Sequence, residues 1–216
     1  MIRRDYILRM IEEFFRLLER VKAQKERGEL PEAEATLEDE ARRLTGADLE
    51  ALCSLSETEI LARLLRAGEL HAQRERTFML ARVLIEAAEL ETEERGQSLR
   101  LKALNLILDA ALRSESAEWP PFVPSIDVLA DSLKEIIPVQ THALLMQYFE
   151  RIGQFANAED SFFCAFELFP DSPALRQLGI SFYQRLLARP DSALEGGNLP
   201  RAEVEAGLAE LRRLNE

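Results

Sequence analysis

A helical repeat of apolar residues, with no competing strand pattern, is the feature that most constrains this fold. Ile7, Ile11, Phe14, Leu18 and Val21 follow one another at intervals of 4, 3, 4 and 3, which places them in a seam on one helix face. Strong helix formers, chiefly Leu, Ala, Glu and Arg, dominate the chain, while Val and Thr are sparse. No segment alternates apolar and polar residues long enough to predict a strand. The sequence therefore predicts an all-α protein.

Glycines, prolines and capping residues mark the ends of the predicted helices. Gly28 ends the first helix, which begins near residue 3, and Pro31 opens a second that reaches residue 44. Ser56 and Glu59 form a capping box at the start of a short helix. Gly96 separates the two longer helices that follow. Further helices are predicted at 56–65, 69–90, 99–112, 125–137, 139–152, 155–169, 172–188 and 200–214, with a flexible loop at 190–198.

A proline-rich segment at residues 117–124 gives the predicted domain boundaries. Its three prolines fall within five residues and exclude a helix. We expect an N-terminal helical region at 1–116, this linker, and C-terminal helical hairpins at 125–216. Trp119 and Phe122 are expected to pin the linker onto the helical body. The alternative is an exposed apolar segment that docks on another copy or on a partner.

Net charge and the scarcity of reactive side chains exclude several classes of protein. The 216 residues include 27 Lys or Arg against 39 Asp or Glu, a formal net charge of −12. Because nucleic-acid binding needs a basic face, this balance argues against an unassisted nucleic-acid binder. No apolar run is long enough for a signal peptide or a bilayer span, so we expect no membrane association and a cytoplasmic location. Two isolated cysteines, Cys53 and Cys164, fit a reducing cytosol as small core residues.

Motifs for catalysis and cofactor binding are absent from the sequence. It contains no Gly-x-Gly-x-x-Gly, no Walker-type lysine loop and no Gly-x-Ser-x-Gly. His71 and His142 follow Gly68 and Val139 by three positions, whereas a di-iron centre in a helical bundle needs Glu-x-x-His pairs. We therefore predict no catalytic residue, no cofactor and no metal ligand, and a protein that is not an enzyme.

Residues 139–172 carry the spacing of two closely packed helices. Ala158 is followed by Phe162 after four positions, by Ala165 three further on, and by Pro170 five beyond that. Small residues let antiparallel helices approach, Phe162 fills the wedge between them, and Pro170 ends the second helix. This stretch resembles a tetratricopeptide repeat, which implies stacked antiparallel helical hairpins.

The first helix of this repeat is atypical, and the second repeat is interrupted. His142 stands in place of the usual Trp, and Met146 in place of the usual Gly. Leu178 and Gly179, followed by Phe182, resemble the Leu-Gly-x-x-Tyr core of the next repeat. The loop that leads to its partner helix is about eleven residues longer than the family pattern allows.

The opening residues carry a second resemblance. The stretch from Arg4 to Phe14, which reads RDYILRMIEEF, is similar to the start of a family of uncharacterised bacterial helical proteins with tetratricopeptide-like C-terminal parts. Together the resemblances imply a right-handed, tetratricopeptide-like α-α superhelix of stacked antiparallel hairpins, preceded by an N-terminal helical region.

The tetratricopeptide resemblance also places a candidate groove. In such stacks the first helix of each hairpin lines a concave surface that contacts a ligand. The side chains carried to that surface are Gln140, Gln147, Glu150, Arg151, Arg176, Ile180, Tyr183 and Gln184. The clamp that chaperone adaptors use for a terminal carboxylate is missing, because Ala143 and Gln147 occupy the matching positions. Residues 116–172 carry 9 acidic against 2 basic side chains, so the expected protein or peptide partner is neutral or basic.

These observations predict a non-enzymatic protein-interaction or scaffold protein. One alternative is a self-associating protein that forms a homodimer through the seam of the first helix. That seam equally suits packing on the second helix of the same chain. Alternatively, the groove face is ordinary solvated surface, or the linker of the same chain covers it. An enzyme of unrecognised type is the least favoured function.

Overall fold

Strong helix formers and well-placed caps give helices throughout the residues that the structure describes. The computed structural model describes residues 2–67, 72–114 and 119–213. Twelve helices and no strand occur in those ranges, which confirms the predicted all-α class. His71 lies outside the described residues. The chain divides into two units, Met1–Glu135 and Ile136–Glu216.

The first unit is organised around two long helical pairs. Helix α1 packs against α2, and α5 forms a hairpin with α6; α2 and α5 are also in contact. The side chains of Phe14, Leu37, Phe78 and Leu104 are almost fully buried in this core. Its helices are α1 (Ile2–Glu26), α2 (Leu30–Thr45), α3 (Leu49–Ser54), α4 (Glu57–Ala67), α5 (Gln73–Ala88), α6 (Glu93–Arg113) and α7 (Ile126–Asp131).

The seam of α1 is used within the unit itself. Phe14 and Val21 are buried, and α1 packs against both α2 and α5. A polar tie strengthens the contact with α5, because Lys25 Nζ donates to the Glu86 carboxylate at 2.6 Å and to the Glu89 carboxylate at 3.0 Å. Packing of this seam on the second helix of the same chain, one of the two arrangements considered from the sequence, is therefore what the structure shows.

The proline-rich segment is attached to the first unit by its two aromatic residues. Phe122 is buried, and its ring lies edge-on to Phe14 at 4.9 Å and to Phe15 at 5.7 Å between centroids. The ring of Trp119 lies 5.3 Å from that of Phe78. Aromatic pairs at these distances are attractive beyond the area that they bury. This segment, placed between domains from the sequence, thus falls inside the first unit.

Helix α6 begins six residues earlier than its prediction, and Gly96 lies inside it. The glycine was expected to separate two helices. A Cβ at this position would lie 2.7 Å from the backbone oxygen of Ala88, so the glycine permits close approach of the end of α5 to the start of α6. Gly96 is therefore explained by close packing and not by the end of a helix. The acidic residues Glu93 and Glu94 lie in the first turn of α6, where negative charge is favourable.

Three other segments differ from their sequence predictions. Helix α3 was not predicted; Asp48 caps it, accepting a hydrogen bond from the Ala51 N–H at 2.7 Å. Residues 132–137, expected to continue a helix, follow α7 as turns and irregular chain. Residues 190–198, expected to be a flexible loop, contain a short helix that Pro190 precedes and whose Leu194 is buried.

The second unit contains two successive helical pairs. Helices α8 and α9 form a hairpin joined by Gly153 and Gln154, and Gly153 ends α8 with a left-handed φ of +80°. Helix α10 packs against α12 and also contacts α9. The helices of this unit are α8 (Val139–Ile152), α9 (Phe155–Leu168), α10 (Pro173–Leu187), α11 (Asp191–Gly196) and α12 (Arg201–Arg213).

Candidate partner-binding face

The predicted residues of α8 form one exposed stripe. Gln140, Gln147 and Arg151 are all exposed, and their spacing of seven and four residues places them on the same side of the helix. The opposite side of α8 carries the buried residues Leu145 and Phe149. The stripe therefore presents two amides and one guanidinium to solvent.

An ion pair between Glu150 and Arg185 joins α8 to α10. Arg185 Nε and Nη2 each donate to a Glu150 carboxylate oxygen at 2.7 Å, a bidentate arrangement. The Glu150 side chain is only 14 % exposed, so its carboxylate is committed to this contact. The predicted partner-binding residue Glu150 thus holds the two helices together. Arg185, which was not predicted, borders the same face.

On α10 the predicted residues divide between the surface and its margin. Gln184 is exposed, whereas Arg176 and Ile180 are half-buried. Gln177 is also exposed and lies one heptad before Gln184, so the same spacing rule that selected the α8 stripe would have found it. We define the α8–α10 face by its exposed residues, which are Gln140, Gln147, Arg151, Gln177 and Gln184.

Tyr183 does not belong to this face. Its side chain is completely buried, and its hydroxyl donates a hydrogen bond of 2.6 Å to the Glu159 carboxylate of α9. A Cβ on Gly207 of α12 would lie 2.5 Å from the Tyr183 hydroxyl oxygen, so this glycine makes room for the ring. Tyr183 is therefore a packing residue between α9, α10 and α12. A helical spacing that ignores the third helix cannot reveal this.

Gly179 permits the other close approach in the same core. A Cβ at this position would lie 2.4 Å from Phe162 Cζ and 2.7 Å from Leu211 Cδ1. Phe162 is buried and meets the rings of Phe163 and Phe166 within α9. Helix α10 thus fits closely against α9 and α12 because Gly179 has no side chain at this point of contact.

The half-buried carboxyl of Glu159, hydrogen-bonded to the buried Tyr183, makes the stability of this unit depend on pH. Burial raises the pKa of the Glu159 carboxyl above its usual 4.5, and the hydrogen bond from Tyr183 only partly offsets this. At a pH between the unfolded-state and folded-state pKa values, Glu159 therefore keeps its proton in the folded chain but loses it in the unfolded chain. It follows that the free energy of unfolding falls as pH rises from about 4.5 through the folded-state pKa.

Glu159→Gln is expected to remove this part of the pH dependence. Glutamine keeps an oxygen acceptor for the Tyr183 hydroxyl and cannot titrate. Urea unfolding at several pH values between 4 and 8 measures the effect, whose slope stays below about 1.4 kcal/mol per pH unit, the limit for one proton. A variant whose stability declines with pH as steeply as that of the wild type would contradict the assignment.

The second histidine is a buried residue of α8. His142 is 8 % exposed, and burial lowers its pKa. Its Nδ1 makes no hydrogen bond to the residues that the structure describes. Within those residues, no group of three or more His, Cys, Asp or Glu side chains lies close enough to hold a metal ion. The histidine therefore packs in the core, where burial disfavours its charged form.

A cavity of about 260 Å³ lies in the first unit between α4, α5 and α6. Its walls include Arg74, Asp109 and Arg113, and Asp109 is the one acidic side chain among the lining residues that the structure describes. Asp109 accepts a hydrogen bond of 2.8 Å from Arg113 Nε. The described lining of this cavity thus contains an Asp109–Arg113 ion pair.

The described part of the chain contains no helix with the length and apolar character needed to cross a membrane.

No curated protein and no solved structure matches the chain. One family model does match, over residues 1–216, and it is described as a family of unknown function, DUF6483. The chain therefore belongs to the family DUF6483.

Proposed function

We propose that this protein is a non-enzymatic interaction module that binds a peptide segment of a partner protein along the α8–α10 face. The observation that carries the proposal is the amide-rich surface formed by Gln140, Gln147, Gln177 and Gln184 on two helices joined by the Glu150–Arg185 pair. Amide groups both donate and accept hydrogen bonds, which suits recognition of a peptide backbone. Because these groups stand on helices rather than on a loop, their backbone is already ordered before binding, which lowers the entropic cost.

We further propose that the second unit is tetratricopeptide-like. Gly179 on α10 lies against Phe162 of α9, which supports a close approach between two neighbouring hairpins. Helix α10 then has α12 as its hairpin partner, and the long connection that interrupts the pattern holds the additional helix α11. In this interpretation α8 and α10 are the first helices of two hairpins. Their exposed sides, which face away from α9 and α12, line the concave groove.

The partner is proposed to be neutral or basic and to be met in the cytoplasm. Between Ile152 and Leu175 the chain has four acidic residues and no Lys or Arg. This acidic stretch lies outside the α8–α10 face itself; it repels acidic partners and attracts basic ones. Cys164 is exposed rather than a core residue as the sequence predicted, and its free thiol suits a reducing compartment.

Self-association through α1 is the second candidate, and one observation favours it. Tyr6 and Leu8 are 43 % and 49 % exposed near the start of α1, so this end of the helix retains apolar surface. The seam at Phe14 and Val21 is not available for it. Size exclusion with light scattering tests this candidate, because a strict monomer at all concentrations would rule it out.

A peptide selection followed by charge substitution tests the proposed function. A displayed random-peptide library is selected on the full chain, and the affinity of the enriched peptide is measured by fluorescence anisotropy. Gln147→Lys combined with Gln184→Lys is expected to weaken binding about tenfold or more, because each lysine removes an acceptor and repels a basic ligand.

Gln154→Lys provides the matched control for this experiment. Gln154 is exposed in the same unit but lies in the α8–α9 connection, outside the α8–α10 face. It is expected to leave the affinity within about twofold of the wild type. Equal binding by the double variant and the wild type, or no enrichment of any peptide, would contradict the proposal.

A further inference from the structure

The turn between α9 and α10 exposes two large apolar side chains next to each other. Leu168 is 53 % exposed and Phe169 is 60 % exposed. The neighbouring Glu167, Pro170 and Asp171 are exposed as well. We call these five residues, Glu167 to Asp171, the α9–α10 turn surface.

The backbone of this surface is fixed at both ends. The Phe169 N–H donates to the Phe166 carbonyl at 3.2 Å, and the Ser172 N–H donates to the Phe169 carbonyl at 3.1 Å. The Ser172 hydroxyl then caps α10 by accepting from the Leu175 N–H. Leu168 and Phe169 are therefore presented in a defined arrangement, and a partner would not have to order the chain when it binds.

Acidic side chains precede and follow the apolar pair along the chain. Asp160, Glu167 and Asp171 are exposed, and none of them forms an ion pair with the residues that the structure describes. The fourth acid of this stretch, Glu159, is engaged with Tyr183. A ligand that covers Leu168 and Phe169 would therefore bring its own edge close to the Glu167 and Asp171 carboxylates, which form no ion pair with the residues that the structure describes.

We propose that the α9–α10 turn surface binds a cationic amphipathic segment of a partner protein, whose apolar residues cover Leu168 and Phe169 and whose Lys or Arg side chains face Glu167 and Asp171. Charge complementarity selects this occupant. Anionic lipid surfaces are repelled by the same carboxylates, and a second copy of the chain brings a net charge of −12. The inference rests on the proposed function, since it adds a contact surface and a charge requirement for the partner.

The turn surface and the α8–α10 face are connected along the chain by the first turn of α10. After Asp171 the chain enters α10 through the exposed residues Pro173 and Ala174 and then reaches Gln177. We infer that one extended ligand touches both surfaces. An apolar anchor at the turn would fix its register, and the glutamines would contact its backbone.

Three synthetic helical peptides of fourteen residues test this inference by fluorescence anisotropy with the full chain. The first peptide has Leu on one helix face and Lys on the other. The second has Gln in place of every Leu of the first peptide, and the third has Glu in place of every Lys. The Lys/Leu peptide is expected to bind at least about tenfold more tightly than either of the others. Binding of the Lys/Gln peptide with equal affinity would reduce the interaction to net charge and overturn the proposal.

Substitutions locate the binding site. Phe169→Ser is expected to weaken binding of the Lys/Leu peptide about tenfold, and Glu167→Gln with Asp171→Asn about threefold with a flatter salt dependence. The matched controls are Val128→Ser, where the side chain is 68 % exposed in the first unit, and Glu205→Gln with Glu210→Gln on the exposed side of α12. Circular dichroism verifies that each variant is folded.

Three outcomes would overturn the inference. The first is an equal loss in the turn variants and their controls, and the second is binding of anionic vesicles that Phe169→Ser abolishes. The third is a wild-type dimer in light scattering that Phe169→Ser dissociates, since the turn would then contact another copy. If the selected library peptide depends on Gln147 and Gln184 but not on Phe169, the proposed function stands and this inference alone fails.

Discussion

Gly179→Val is expected to lower the free energy of unfolding of the second unit by about 3 kcal/mol. The first added atom, Cβ, would already lie 2.4 Å from Phe162 Cζ and 2.7 Å from Leu211 Cδ1, and valine adds two more methyl groups. Both neighbours belong to a closely packed core in which Phe162 and Leu211 are 1 % exposed, so neither can move away freely. Guanidinium unfolding followed by circular dichroism measures the change.

Gly196→Val is the matched control for this substitution. Gly196 is the last residue of α11, is exposed, and would have no heavy atom within 4 Å of an added Cβ. We expect an effect within about 0.5 kcal/mol there. Equal effects at the two glycines would show that backbone propensity, rather than close helix approach, governs Gly179.

Phe122→Ala is expected to destabilise the first unit by about 3 kcal/mol. The buried ring contacts both Phe14 and Phe15, so its removal leaves a cavity and detaches the proline-rich segment from α1. Trp119 is the one tryptophan of the chain, and it lies against Phe78 in the same unit. Its fluorescence during urea unfolding therefore reports on this unit.

Val128→Ala is the control for the proline-rich segment. Its side chain is 68 % exposed, so little packing is lost, and a change within about 0.5 kcal/mol is expected. Limited proteolysis adds a second readout, because cleavage near residues 119–124 should become faster in Phe122→Ala alone. An unchanged midpoint and unchanged cleavage would contradict the role given to Phe122.

Helical periodicity and local caps were enough to predict the class of this fold and most of its helices. The predicted α8 at 139–152 coincides with the observed one, because Pro138 and the left-handed Gly153 set its ends locally. Gly96 and the segment 190–198 were misjudged for the opposite reason. Their conformations depend on tertiary contacts, a close approach to Ala88 and the burial of Leu194, which no local pattern reveals.

The same distinction applies to the candidate site. The exposed stripe of Gln140, Gln147 and Arg151 follows from helical spacing alone, since only α8 determines which side they occupy. Tyr183 required knowledge of three helices at once, because its burial depends on Gly207 and its hydroxyl on Glu159. The exposure of Phe169 at a turn could likewise not be predicted, since the sequence does not show which apolar residues lie outside the core.

Side-chain amide signals give the most direct test of the α8–α10 face as a binding surface. In a nitrogen–proton correlation spectrum, each glutamine contributes a resolvable NH₂ pair, and addition of the selected peptide is expected to shift those of Gln147 and Gln184. The pair of Gln154, which lies outside the face, is expected to stay in place. Shifts confined to Gln154 or to glutamines of the first unit, with Gln147 and Gln184 unmoved, would contradict the account.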